Sequence, residues 1–449
     1  MSKYAIAAAT AACCVLSLVV GRAQTSAPTF NKDVATILYK NCTSCHRPGE
    51  IAPMSLLTFQ DARPWARSIR EEVSTGTMPP WHADPAHGRF SNDRSLSDAD
   101  KELIVRWVNA GAPEGDPADR PEPPKYADGW QIGQPDAVAS MTEDYPVPAD
   151  GTVEYKYFSV PTSFEEDKWI QAIEVRPGTR AVVHHVIVFA RDPKPAPPRP
   201  AQQAQPAARP TPTFLFADGM EEPKNPDADV KKKAPLNDRP APQRLGSFVG
   251  GFAPGQTMRV YAPGTAIRLP AGAVLTFQMH YTANGTAATD RTKIGFIFAK
   301  EPPKQEVRIT ELSNRNFTIA AGAASSRIDA EATLQRDITL WSVLPHTHVR
   351  GKRWEYQATY PDGRVETILA VPKYDFNWQT EYVFKEPLKL PKGTKIHAMA
   401  WYDNSANNPS NPDPKIDVHW GDQTWEEMQF TALAFTVDPV PVTTAGAKQ

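Results

Sequence analysis

The sequence predicts a multidomain protein: a small all-α unit followed by two all-β sandwich domains. Three observations carry that expectation. Helical apolar stripes occur early, in "FNKDVATILYKNC" and "SLSDADKELIVRWVNAGAPEGD". From Val153 onward, short β-branched and aromatic runs alternate with turn signals. The chain also holds 45 prolines, about twice average usage, which favours linkers, turns and short strands over a helical bundle. At 449 residues there is length for two or three cores. Charged residues make up 22% and the formal net charge is -2, so the basic excess that a nucleic-acid partner brings is missing.

The elements follow in chain order. Residues 1–23 have a basic start at Lys3, an apolar run from Ala5 to Val20, and small residues before Ala23. That is the pattern of a cleaved export signal, and it implies a periplasmic or secreted protein. The alternative, a membrane anchor, needs roughly 20 apolar residues, and this run is shorter. No later stretch is apolar enough to span, so no stable membrane span is expected.

Cys13 and Cys14 leave with the signal, which leaves Cys42 and Cys45. An exported chain of this size with two cysteines is not a disulfide scaffold. They stand in Cys42-Thr43-Ser44-Cys45-His46. Two thiols at this spacing can form thioethers to a haem, and the adjacent imidazole can ligate its iron. A redox dithiol needs no following histidine, and a zinc site needs partners that no other cysteine supplies. One covalent haem c is therefore expected. Leading into the motif, Val34, Ile37 and Leu38 share a helical face. Behind it, Ser97 is an N-cap with Asp100 at the third position, Leu103, Ile104, Trp107 and Val108 form a stripe, and Gly111 ends it. Helix, haem motif and closing helix over 29–115 resemble a small c-type cytochrome domain. For the second iron ligand the candidates are Met54, Met78, His82 and His87. Met78, held by the two prolines of "GTMPPWHAD", resembles the distal-methionine loop of such domains and is preferred, with Met54 and His82 as rivals.

Residues 116–150 read as a Pro-rich linker. The first β-sandwich is expected over 151–300, interrupted by a low-order insertion at 192–245, and the second over 305–437, with "KEPPKQ" as the joint. "YPDGR" is a hairpin turn between strand residues.

Seven histidines follow the first unit. His346 and His348 flank one threonine; along a strand such residues share a face and can meet one metal. His184 and His185 are adjacent, so they can meet one metal only where the strand bulges or twists. His280 lies in a third strand pattern, "FQMHYT".

His-His, His-Tyr-Thr, His-Thr-His-x-x-Gly-Lys and Glu-Met, in that order over roughly residues 150–437, resemble the copper type II, ascorbate-dependent monooxygenases, the family of peptidylglycine α-hydroxylating monooxygenase and dopamine β-monooxygenase. The resemblance implies two jelly-roll-like sandwich domains facing each other across a solvent-filled cleft, with one copper ion on each. Carried over by position, His184, His185 and His280 would hold the electron-transfer copper. His346, His348 and Met428 would hold the copper at which dioxygen reacts with a small organic substrate. Imidazole and thioether ligands suit copper. His397 and His419 match no family motif and read as structural or surface residues. Where the peptide enzyme has a carboxylate-binding arginine, Leu344 stands, and where family members have a tyrosine, Ala432 stands. A glycine-extended peptide is thus not the expected substrate. Fusion to a haem unit implies a copper-dependent monooxygenase reduced through that haem, which is filled by an external donor, ascorbate-like or a redox protein. The alternative is a haem–copper electron-transfer or copper-binding protein without hydroxylase activity.

Overall fold

The computed structural model describes residues 27–50, 52–126, 129–193, 246–253, 255–256 and 258–439. The expected export signal, and nearly all of the 192–245 insertion, lie outside the described residues. The chain is mostly β-sheet, with few helices. Among the described residues no helix is long and apolar enough to cross a membrane.

The helices gather near the N-terminus. Thr29 caps a widened turn over Phe30–Val34, which runs into the helix Ala35–Asn41; Phe30, Val34, Ile37 and Leu38 are buried. The helix Asp98–Asn109 starts where Ser97 Oγ accepts the Asp100 N–H at 3.1 Å. Ile104 and Trp107 are fully buried, and the Trp107 indole donates to the Pro113 carbonyl at 3.0 Å, which folds the end of this segment back on itself. These residues share one apolar cluster with Ile69 and Val73 of the helix Ala66–Thr75.

Two pairs of facing layers follow, one nine-stranded sheet supplying a layer to each. In the first, the strands Lys168–Arg176, Thr265–Leu269 and Lys293–Phe298 lie on one side. The strands Lys156–Pro161, Val274–Tyr281, Val183–Arg191 and Ser247–Phe252 lie on the other. Ile170, Ile173 and Phe296 from one layer meet Val186, Val188 and Phe277 from the other in one buried cluster. In the second pair, Gln305–Asn314, Gln429–Val437, Ile338–His346 and Tyr382–Leu390 face Ser326–Thr333, Lys395–Tyr402, Gly351–Thr359 and Val365–Val371. Along Gly351–Thr359 burial alternates, so Trp354, Tyr356 and Ala358 point inward, as period-2 geometry requires. The hairpin at "YPDGR" forms: Gly363, at φ 88°, takes a left-handed conformation that suits glycine.

Three boundaries differ from the sequence reading. The 116–150 linker is partly strand, because Ala137–Ser140 pairs with Lys293–Phe298 and Tyr145–Val147 pairs with Ala288–Asp290. Short runs such as "AVAS" complete open sheet edges whose partners are far away in sequence. The two β units are not separate at 300–305, since Gln305 and Glu306 pair in parallel with Thr265 and Ala266 and carry one sheet through both. Finally, the 29–115 unit does not pack on itself throughout. Residues 81–92 form a strap on the second β unit: the Asp84 N–H donates to the Ala370 carbonyl at 2.8 Å and the Ser91 N–H to the Val383 carbonyl at 2.8 Å. Phe90 is buried there, 5.3 Å from Phe384 and 5.4 Å from Tyr382 between ring centroids, with Trp81 at 5.9 Å. Main-chain pairing to an exposed edge, anchored by aromatic burial, outweighs the proximity in sequence of this segment to the helices.

Replacing the anchor, Phe90→Ala, should cost about 3 kcal/mol in urea unfolding. The same variant should speed hydrogen exchange at the Ser91 amide while leaving that of Ala398, inside the opposite sheet, unchanged.

Candidate metal centre

The first three imidazoles come together through a strand irregularity. His185 pairs directly with His280 across the sheet, and Val183 with Tyr281, so the register slips at His184. That extra residue is the bulge which two adjacent histidines need to reach one side. The ligand atoms of His184, His185 and His280 all lie within 4.8 Å of one another, so the three could hold a metal ion. His184 Nδ1 and His185 Nδ1 are 3.1 Å apart. Two nitrogens bound tetrahedrally at about 2.0 Å stand roughly 3.3 Å from each other. The Tyr155 ring stacks on His280 with centroids 4.8 Å apart, and its hydroxyl lies 3.4 Å from His185 Nε2.

His346 is the last residue of its strand, and His348 lies beyond it in a turn rather than on the strand as the spacing suggested. Their rings are still 5.2 Å apart, because His348 is held separately. Its Nδ1 donates to the Glu426 carbonyl at 3.0 Å, and its N–H to Glu427 Oε2 at 2.8 Å. Glu427 is fully buried and also accepts the Arg350 N–H at 2.7 Å and the Met428 N–H at 3.3 Å. Gly351 closes the turn where a Cβ would stand 1.8 Å from Thr347 Oγ1, which explains the glycine in His-Thr-His-x-x-Gly. Met428 follows Glu427 directly, and its carbonyl accepts the Tyr402 hydroxyl at 2.8 Å. Antiparallel pairing of His346 with Phe430 brings this segment alongside His346, and the Glu426 carbonyl reaches His348.

The two groups do not face each other across an open cleft, as the family resemblance implied. The segment after Val371 fills the space between them. Phe376 stacks on His184 at 5.4 Å and lies 6.2 Å from His280 and 6.0 Å from His348. The Gln379 carboxamide accepts from His346 Nδ1 at 2.8 Å and donates to His185 Nδ1 at 3.5 Å. Tyr374 pins the segment, donating to the Thr347 carbonyl at 3.0 Å and accepting its N–H at 3.2 Å. Nothing in the sequence marks Phe376 or Gln379. A lone glutamine in an irregular loop has no period or spacing to betray it.

Burial dominates the electrostatics. It pushes His280 down to about 3 and His346 down to about 4, while His185 and His348 fall well below the usual imidazole value. The neighbouring histidines push the same way, so these rings are neutral near pH 7 and offer lone pairs. Among the described residues, His280 Nδ1 and His348 Nε2 are buried with no hydrogen-bond partner. An unpaired buried polar atom is costly, and a metal ion is the partner that imidazole lone pairs fit.

Elsewhere, Cys42 caps the helix Ala35–Asn41 and Cys45 and His46 follow in turns. Burial pushes the Cys42 thiol up to about 12. His46 Nδ1 lies 3.3 Å from the Met54 carbonyl. Glu50 accepts from Arg47 at 2.6 Å and pairs with Arg180, four residues before His184. Met78 is half-buried after the helix Ala66–Thr75. His82 and His87 lie on the strap, where Asp375 and Lys373 are charged neighbours of His82. His397 pairs with Asp329 at 2.9 Å, and His419 lies 3.1 Å from Thr318 Oγ1, both remote from the cluster.

No known protein family and no curated protein matches the chain. Among solved structures, a secreted protein from Eubacterium rectale aligns at 10% identity over 63% of this chain and 69% of that one, with a TM-score of 0.20. Infectious bursal disease virus, Gx strain, aligns at 10% identity over 69% and 72%, with a TM-score of 0.18. The coconut allergen cocosin aligns at 7% identity over 67% and 85%, with a TM-score of 0.11. At these scores the likenesses carry no argument.

Two outcomes follow from the buried groups. The histidines bind protons more readily unfolded than folded, so metal-free protein should lose stability as pH falls from 6.5 toward 4. Each such ring steepens the slope by up to about 1.4 kcal/mol per pH unit. Glu427, pushed up to about 8 by burial, opposes this above pH 4.5, but four histidines outnumber it. Urea unfolding across this range measures the slope. Separately, Glu427→Ala strands three buried N–H groups and should lower stability by about 3 kcal/mol, visible as a fall in Tm.

Proposed function

We propose that the chain is an exported copper-dependent monooxygenase that hydroxylates a C–H bond with dioxygen, its electrons delivered through a covalently bound haem c on the N-terminal unit. The observation that carries this reading is the gathering of His184, His185 and His280 on one side of the 376–379 segment and of His346 and His348 on the other, with His280 Nδ1 and His348 Nε2 lacking a hydrogen-bond partner among the described residues. Each β unit supplies one histidine group, an arrangement that supports this reading. Copper, when bound, supplies one-electron chemistry toward dioxygen.

The chain's own residues take the remaining roles. His184, His185 and His280 would hold one ion, and His346, His348 and Met428 the other. Histidine and thioether donors form a set that suits copper better than zinc. Gln379 and the Glu426 carbonyl fix the Nδ1 hydrogens of His346 and His348, which leaves each Nε2 to a metal, the usual outer support of a ligating imidazole. In the same way the Met54 carbonyl takes His46 Nδ1 and leaves Nε2 for iron. That carbonyl sits behind the ring, which disfavours Met54 on the far side of the iron and favours Met78. Cys42 and Cys45 would carry the thioethers.

Electron delivery is supported by the docking of the motif loop. Arg47 and Arg180 share the Glu50 carboxylate, and Arg180 starts the short turn Arg180–Val182 that leads into the strand carrying His184 and His185. Substrate contact is expected along the face beyond His346. There Leu344 pairs with Ala432, and neither offers charge to a carboxylate, so a neutral substrate fits better than a peptide acid. An ascorbate-like molecule or a redox protein would reduce the haem.

A second reading, a haem–copper protein that carries electrons or copper without hydroxylating, is favoured by one observation. His185, His280, His346 and His348 are all buried, and Phe376 fills the space between the groups.

Stopped-flow reoxidation separates these readings. Reduced protein mixed with oxygen should reoxidise its haem quickly only when loaded with copper, and His346→Ala should slow this at least tenfold. Haem reoxidation that ignores copper would contradict coupled oxygen chemistry. Reoxidation that needs copper but gives no hydroxylated product with any neutral substrate would favour the second reading.

A further inference from the structure

Gln379 touches both histidine groups, and its two ends do opposite things. Its Oε1 can only accept, so His346 Nδ1 at 2.8 Å must carry the proton, and the lone pair of that ring is on Nε2. Its Nε2 can only donate, so at 3.5 Å it competes for the single lone pair of His185 Nδ1. That lone pair has a second suitor in His184 Nδ1 at 3.1 Å. A metal ion held by His184 and His185 through the nitrogens that face each other must displace the Gln379 N–H. The carboxamide is buried, and Tyr374 and the Arg259–Glu381 ion pair tie down its loop on either side. It therefore cannot release one group without a change at the other.

We propose that Gln379 is a positioning residue that couples the loading of the two histidine groups with a soft monovalent ion such as Cu(I). Its N–H holds the His185 lone pair until an ion takes it. Its oxygen keeps His346 in the tautomer and orientation that present Nε2 to the second ion. The inference rests on both groups taking copper, as proposed above, and on nothing about oxygen or substrate.

The test is titration of metal-free protein with Cu(I) against a competing chelator. Gln379→Glu and Gln379→Leu are compared with the wild type, each also on a His184→Ala background that isolates the second group. Gln379→Glu keeps an acceptor for His346 but has no N–H. It should leave the second group within about threefold of wild type and tighten the first group several-fold. Gln379→Leu removes both ends, so it should tighten the first group as well but weaken the second by about 10–100-fold. Copper-edge X-ray absorption should report fewer imidazole ligands at the second group in Gln379→Leu alone. Unchanged affinities in both variants, or weakening of the first group in both, would overturn the coupling while leaving the metal sites in place. Wild-type protein that binds fewer than two ions would overturn the metal reading itself.

Discussion

Burying imidazoles without enough proton donors is the constraint on which the rest of this structure depends. Four of the five clustered rings are buried, two ring nitrogens have no partner among the described residues, and one lone pair on His185 faces two competing donors. In water such rings would be hydrated; here they are desolvated and neutral. The fold around them is built to keep them so. A bulge turns His184 and His185 to one side, a buried carboxylate shapes the turn at His348, and an aromatic segment closes the space between the groups.

The scaffold explains how distant residues can hold that geometry. One sheet runs through both β units, because the Gln305–Asn314 strand continues alongside Thr265–Leu269. A hinge at this joint would leave the two histidine groups free to drift. A shared sheet, the Arg259–Glu381 pair and the bridge through Gln379 lock them instead. The strap over residues 81–92 and the Glu50–Arg180 pair tie the helical unit to both halves. The motif loop, the first group and the second group thus belong to one connected framework.

Much of this was legible in the sequence where a local rule decides the outcome. Ser97 caps its helix, "YPDGR" turns its hairpin, and adjacent histidines demand a bulge. What was hidden depends on partners far along the chain. Ala137–Ser140 looks like linker until the edge at Lys293–Phe298 is known, and the Trp81–Phe90 strap looks like part of the helical unit until Tyr382 and Phe384 are near. His346 and His348 suggested a shared strand face, yet His348 reaches the pocket from a turn, held by Glu426 and Glu427. Gln379 and Phe376 were invisible for the same reason: their importance lies in what they touch.

The His184, His185 and His280 cluster could hold a metal ion. The most direct measurement is elemental analysis of the chain matured in an exporting, haem-attaching host. One iron and two coppers per chain are expected, with one copper lost in His348→Ala and the iron retained. Full iron with no histidine-bound copper, in protein that is otherwise folded, would contradict it.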